Sequence, residues 1–246
     1  MRMKSGNRIV IVTGATRGIG AAIAQEFWRQ GAHVVITGTH QDEVDRLNQD
    51  NPERKLYVHV DFMNPSSLEA FRRYIASLER LDVCVNNAGI NIIKHVDQVT
   101  EDDFDKVTIV NYRTPYLVAQ TAAQVMRRQR CGWIVNLGSI WSVITKKGRS
   151  QYSAAKAGLA GMTRAIATDL AADGILVNCV SPGFVLTDLT RQSLTPQEIQ
   201  ALAQQVPLGR FADPVEIARL VAFLGSEQNT YLTGQNIVID GGFTNV

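Results

Sequence analysis

Residues 8–20 read RIVIVTGATRGIG: a β-branched run ends in Gly14-Ala-Thr-Arg-Gly18-Ile-Gly20 and leads into apolar residues at helical spacing over 18–30. A strand, a glycine turn and a helix in that order leave room for backbone amides and a helix N-terminus to approach a pyrophosphate. The spacing is G-x-x-x-G-x-G, not the commoner G-x-G-x-x-G, and a glycine turn at such a place can also be only a tight connection. The rest of the chain bears on the choice. Six further runs, HVVITG at 33–38, LYVHVD at 56–61, DVCVNN at 82–87, WIVNLG at 133–138, ILVNCV at 175–180 and NIVID at 236–240, alternate with helical patterns at 65–79, 101–129, 151–172 and 213–225. Seven strands alternating with helices predict an α/β fold: a seven-stranded parallel sheet with helices on both faces, binding its ligand beyond the carboxyl ends of the strands. The stretch SPGFVLTDLTRQSLTPQEIQALAQQVPLGRF reads as one long irregular interruption, with 186–210 as a mobile lid over the site.

Size and composition narrow the function. A chain of 246 residues, 45% hydrophobic and 20% charged, can bury one large core. A net charge of +2 without a basic block argues against a nucleic-acid partner, and no stretch approaches the roughly 18 apolar residues of a membrane span. The opening MRMKSGNRIVIVTG has a short apolar run that passes directly into the glycine turn, so it reads as a first strand and not as a signal peptide. Cys84, Cys131 and Cys179 stand alone, and His33, His40, His59 and His95 show no ligand spacing, so neither a disulfide framework nor a metal site is expected. A reduced, cytoplasmic protein is the simplest account.

The second strand ends Thr37-Gly38-Thr39-His40, where an acid would normally accept from an adenosine ribose. A carboxylate there would repel a 2′-phosphate; Thr39 can donate to one and Arg17 can pair with it, which favours NADP(H) over NAD(H). Arg17 as a solvated loop cation is the alternative. Asp61, closing the third strand, can accept from an adenine amino group or cap a turn. Asn86-Asn87-Ala88-Gly89 offers small residues against which a cofactor can lie, or simply a turn.

Tyr152 and Lys156 stand four residues apart on a helical pattern, so an ammonium faces a phenol whose ordinary pKa is about 10 and can lower it. Ser139 follows the fifth strand, at the sheet edge to which the next helix brings that pair. A hydroxyl donor and an acidic phenol can then converge on one carbonyl oxygen while hydride arrives at its carbon. Asn111 lies four residues before Pro115; the missing N–H should free the carbonyl of residue 111, kink the helix, and let that carbonyl hold a water leading toward Lys156. Trp141, Phe184 and Leu186 suggest a partly apolar pocket, or core packing.

TGATRGIG at 13–20, NNAG at 86–89, Asn111, Ser139, YSAAK at 152–156, SPG at 181–183 with Thr187, and TGQNIVIDGG at 233–242 resemble the short-chain dehydrogenase/reductases, nearly end to end. The resemblance implies a single Rossmann domain over 1–246, nicotinamide-dependent interconversion of a carbonyl and an alcohol, and a homotetramer. Tyr152 would be the proton donor in reduction, Ser139 would hold the substrate oxygen, Lys156 would lower the tyrosine pKa and hold the nicotinamide ribose, and Asn111 would join a proton relay. Gly14, Thr16, Arg17, Gly18, Ile19, Gly20, Thr39, Asp61, Asn87, Ala88, Gly89, Pro182, Gly183, Val185 and Thr187 would line the cofactor with Tyr152 and Lys156, while Ser139, Trp141, Tyr152 and Phe184 would face the substrate. Within the family the general likeness is to 3-oxoacyl-(acyl carrier protein) reductases. Arg127, Arg128 and Arg130 offer a basic docking cluster for an acidic carrier, whereas Asp173 stands where such reductases commonly carry a second Arg and would repel it. The competing expectations are an NAD-linked sugar, polyol or steroid dehydrogenase and a dinucleotide-binding regulator without turnover.

Overall fold

The computed structural model describes residues 8–50 and 53–246. The first seven residues of the N-terminal stretch read above as leading into a strand lie outside the described residues. In chain order the elements are β1 (Ile9–Val12), α1 (Gly18–Arg29), β2 (His33–Gly38), α2 (Gln41–Gln49), β3 (Lys55–His59), α3 (Pro65–Ser77) and β4 (Val83–Asn86). Then come α4 (Glu101–Thr108), a π-helical turn over Ile109–Arg113, α5 (Thr114–Gln129), β5 (Gly132–Leu137), α6 (Ser150–Leu170) and β6 (Ile175–Pro182), followed by α7 (Asp188–Ser193), α8 (Pro196–Ala203), α9 (Pro214–Leu224) and β7 (Asn236–Ile239).

The seven strands form one parallel sheet in the order β3-β2-β1-β4-β5-β6-β7. Parallel strands buried on both faces need apolar residues at every position, and β1 shows it: Val10 and Val12 enter one core, Ile11 the other. The first core packs Ile23 and Phe27 of α1 and Ile217 and Val221 of α9 on Val83, Val85 and Val135; the second packs Phe71 of α3, Val118 and Met126 of α5 and Leu170 of α6 on Cys84, Ile134 and Val177. Phe27 is fully buried, a contribution of about 1.5–3 kcal/mol from one side chain. Because all strands run the same way, their carboxyl ends share one edge. The strand order reverses between β1 and β4, the switch point at which open sheets of this kind form their ligand crevice.

Three expectations about elements change. Helix α2, with only Val44 buried, has too thin an apolar stripe to show periodicity. The stretch expected to be irregular contains α7 and α8; α8 is started by a Thr195–Glu198 capping box with Pro196 at its first position, a signal present in TPQE. The pattern 101–129 is two helices joined by the π turn. Pro115 cannot donate back to residue 111, and the ladder widens there: Thr114 N–H bonds the carbonyl of Ile109, five residues back. Among the described residues no helix is long and apolar enough to cross a membrane.

Candidate active site

The glycine turn after β1 is held by neighbours on both sides. Gly14 N–H donates to Thr37 Oγ1 at 2.9 Å and Ala15 N–H to the Thr37 carbonyl at 3.0 Å, tying the turn to β2. On the other side Thr13 Oγ1 accepts from the amides of Asn87 (3.0 Å) and Ala88 (3.1 Å), and Asn87 Nδ2 donates to the carbonyls of Thr13 and Gly14, both at 2.9 Å. Gly14 and Gly18 both sit at φ +60°, a region costly for any residue with a Cβ. A Cβ on Gly14 would meet Ala88 Cα at 2.8 Å, and one on Gly20 would lie 2.7 Å from the Gly14 carbonyl oxygen and against Asn87 Nδ2. Asn87 therefore spends its carboxamide on the turn. The backbone cradle left by the missing side chains fits a pyrophosphate, with the start of α1 behind it.

Around this cradle, Thr16 packs where a Cβ on Gly38 would stand, with its Cγ2 2.6 Å from that position, and Ile19 packs on the first core. Arg17 and Thr39 are both exposed, at the edge ends of β1 and β2. His59 Nε2 lies 3.2 Å from the Thr39 carbonyl. Asp61 caps a turn, its Oδ1 accepting from Met63 N–H at 2.9 Å. Pro182 ends β6 beside Ile239, and Gly183 N–H donates to the Ile239 carbonyl at 2.9 Å. Val185 is buried against Ala212, and Thr187 caps α7 with its methyl 3.7 Å from a Cβ built on Gly18. The root of the expected lid thus lies beside the glycine turn.

The other half of the site gathers on β5, the π turn and α6. Ser139 lies two residues past β5 and is buried, its Oγ accepting from Trp141 N–H at 3.3 Å. Lys156 is buried two turns into α6 and donates to the Leu137 carbonyl at 2.6 Å. Its Nζ lies over the Tyr152 ring, 5.8 Å from the centroid. Burial lowers the Lys156 ammonium to about 8, partly opposed by Cys179. The Tyr152 phenol is raised, burial outweighing the hydrogen bond with Ser139 and the charge of Arg149, which both lower it. The Lys156 ammonium is anchored on a backbone carbonyl and faces the ring, and the guanidinium of Arg149 is within electrostatic reach of the phenol.

Asn111, fully buried in the π turn, turns its side chain onto the loop after β4. Nδ2 donates to the carbonyls of Ile90 (2.8 Å) and Val107 (2.9 Å), and Oδ1 accepts from Ile90 N–H at 3.2 Å. A Cβ on Gly89 would lie 2.8 Å from Asn111 Oδ1 and 3.5 Å from Lys156 Nζ, so these two polar groups meet at Gly89. The π turn, at the place where a kink was expected, brings this about.

Several participants were invisible to motif reading. Asn86 Nδ2 donates to Asn136 Oδ1 (2.8 Å), Asn136 Nδ2 to Thr163 Oγ1 (2.9 Å) and Thr163 Oγ1 to the Leu159 carbonyl (2.8 Å), a buried chain that fixes α6 on β4 and β5. Only the inward-facing polar residue in each of two apolar strands hinted at it. Arg149 stands at the start of α6, three residues before Tyr152, and its guanidinium lies 5.4 Å from the centre of the Trp141 ring. Phe184 stacks on Phe211 (5.1 Å) and meets Phe243 edge-on (5.0 Å), so its ring belongs to a cluster with the chain's C-terminal end.

The basic cluster is also changed by packing. Asp173 takes both Arg127 (2.5 Å) and Arg130 (2.8 Å), and Arg128 donates to the Leu78 carbonyl at 3.0 Å. Asp173 pairs with two of these arginines directly, where it was expected to act on a carrier.

Residues 14–244 match the family model described as enoyl-(acyl carrier protein) reductase. The chain is 35% identical to a 3-oxoacyl-[acyl-carrier-protein] reductase of Rickettsia bellii over 94% of this chain and 95% of that protein. It is 37% identical to the Aquifex aeolicus protein of the same description, over 98% of this chain and 99% of that one. Among solved structures, a candidate gluconate dehydrogenase from Agrobacterium tumefaciens superposes with a TM-score of 0.90 at 31% identity, covering 100% of both chains.

Proposed function

We propose, because this chain belongs to the short-chain dehydrogenase/reductase family and is an oxidoreductase acting on CH–OH groups, that it is an NADP(H)-dependent enzyme using Tyr152 as its acid and base. The observation that carries the reading is the meeting of Ser139, Tyr152, Lys156 and Asn111 one loop away from a glycine cradle on the same sheet edge. When bound, a nicotinamide supplies or accepts the hydride at the substrate carbon. Ser139 and Tyr152 hold the carbonyl oxygen between two hydroxyls, and Tyr152 passes its proton to that oxygen as the alcohol forms. Lys156, anchored on Leu137, keeps a positive charge beside the phenol ring, and Asn111 holds the loop that carries Gly89. The choice of NADP(H) is supported by Arg17 and Thr39 at the strand edge with no carboxylate at the end of β2; NAD(H) is the alternative.

A 3-oxoacyl thioester is supported as substrate by the named relatives. Against a carrier-protein partner stands the pairing of Arg127 and Arg130 with Asp173. A hydroxy or oxo acid is the second reading, favoured by Arg149 beside the phenol. Segment 186–210 would act as the lid, its root beside the glycine turn, and the subunits would assemble as a homotetramer.

The deciding experiment follows NADPH and NADH oxidation with acyl-thioester, sugar, diketone and quinone substrates. Turnover of at least one carbonyl with NADPH preferred supports the reading. Consumption of NADH alone would overturn the cofactor choice, and no consumption with any carbonyl would overturn the reductase reading.

A further inference from the structure

Resting on the reading just given, we propose that Arg149 is a specificity-determining residue that binds a carboxylate carried by the substrate itself, so that this enzyme acts on a small oxo acid and the corresponding hydroxy acid. Arg149 immediately precedes α6 and has no capping bond from its side chain. Its guanidinium lies across the Trp141 ring at 5.4 Å and within electrostatic reach of the Tyr152 phenol. Among the described residues neither a carboxylate nor a carbonyl accepts from it, although other arginines nearby in the chain, Arg127 and Arg130, find Asp173. Burial holds the Arg149 guanidinium below its ordinary pKa, with the Tyr152 phenol opposing.

A partly desolvated guanidinium with its fork of donors unused calls for an acceptor that arrives from outside. The position of Arg149 chooses the acceptor. The ring under it, Trp141, belongs to the turn that begins at Ser139, one of the two hydroxyl residues of the proposed site, so an anion bound by the guanidinium lies close to the reacting carbonyl. A planar carboxylate fits the fork in two bonds. The phosphates of a carrier or coenzyme thioester are separated from the reacting carbonyl by a full pantetheine arm. The approach is basic as well: Lys146 and Lys147 in the turn before Arg149 are exposed and have no carboxylate partner among the described residues, while Lys94 beside that turn is taken by Asp103 at 2.5 Å. In reduction, hydride from the nicotinamide goes to the ketone carbon, the Tyr152 proton goes to its oxygen, and the carboxylate stays intact on Arg149.

Acetoacetate, ethyl acetoacetate and acetoacetyl-CoA separate the possibilities, with wild type, Arg149→Gln and Arg149→Lys assayed in parallel for NADPH oxidation. The expected result is a fall of about 10–100-fold in the acetoacetate-to-ethyl-ester ratio of kcat/KM for Arg149→Gln, carried mainly by KM, with part of the ratio recovered by Arg149→Lys. An equal loss on the acid and its ester, with a shifted pH profile, would place Arg149 on the phenol instead and overturn the proposal. So would an unchanged ratio, or a loss confined to acetoacetyl-CoA, which would assign the guanidinium to a phosphate. Should wild type reduce none of the three, the reductase reading itself is in question; protection of the NADP-bound protein against thermal unfolding by acetoacetate and not by its ester, lost in Arg149→Gln, still tests the anion site. Absence of that protection in wild type would overturn it. Circular dichroism of both variants separates lost binding from lost folding, and Arg149→Lys keeps the test open if Arg149→Gln does not fold.

Discussion

The two halves of the crevice are built from opposite materials. On the β1–β2 side the site is made of absent side chains: Gly14, Gly18 and Gly20 leave a backbone surface, and the polar groups nearby, Thr13, Thr37 and Asn87, are spent on holding that surface still. On the β5–α6 side it is made of side chains whose own polar ties run to backbone: Lys156 to Leu137, Asn111 to Ile90 and Val107. The first half can accept any ligand bearing a phosphate at the right place. On the function proposed above, the second prescribes a reaction, through a phenol, a hydroxyl and a cation brought to one end of the sheet.

If that division holds, damage on the two sides separates. The largest effect is expected from Tyr152→Phe, a loss of about 10²–10⁴-fold in kcat with NADPH binding retained; fluorescence titration beside steady-state rates checks both, and a variant that keeps most of its turnover would break the comparison. Gly20→Val should do the reverse. Its branched side chain enters the space held by the Gly14 carbonyl at 2.7 Å, so NADPH binding weakens by at least about tenfold and stability falls by about 1–3 kcal/mol, read by titration and urea unfolding.

The reacting half also carries a pH signature. The Lys156 ammonium titrates at about 8, below its ordinary value, so its charge is present below that pH and lost above it, while the raised Tyr152 phenol keeps its proton. Reduction should therefore hold level to about pH 8 and then fall by up to about tenfold per unit, whereas alcohol oxidation, which needs the phenolate, should rise. Profiles of kcat/KM in both directions check this.

Smaller effects sharpen the glycine half and the surface. Arg17→Ala should cut the preference for NADPH over NADH by about tenfold, the loss of one exposed phosphate contact; an unchanged ratio of the two Kd values would reassign the 2′-phosphate. Asp173→Asn should cost less than about 1 kcal/mol, since Arg127 and Arg130 are largely exposed, yet it releases both cations. Faster reduction of acyl-carrier substrates by this variant, seen in competition with a free thioester, would show that Asp173 masks a docking surface.

The sheet was legible because burial on both faces writes itself as uninterrupted apolar runs, and each of the seven runs became a strand within a few residues. Helix α8 carried a readable capping box and was passed over inside a stretch rich in turn residues; α2 carried almost no stripe to read. In the site, Tyr152, Lys156 and Ser139 could be placed by spacing and strand ends. The masking of Arg127 and Arg130 by Asp173, more than 40 positions away, could not.

By itself the sequence determined the doubly wound sheet, the glycine turn and the set of groups available for chemistry, because strand and helix periods and local turn preferences act between residues a few positions apart. The tertiary structure alone decided that Asn111 serves Ile90, that Lys156 rests on Leu137 and faces a ring, and that Arg149 lies over the ring of Trp141. Those outcomes depend on which carbonyls and donors lie within about 3 Å after packing, and a buried polar group takes the partner that the fold leaves beside it.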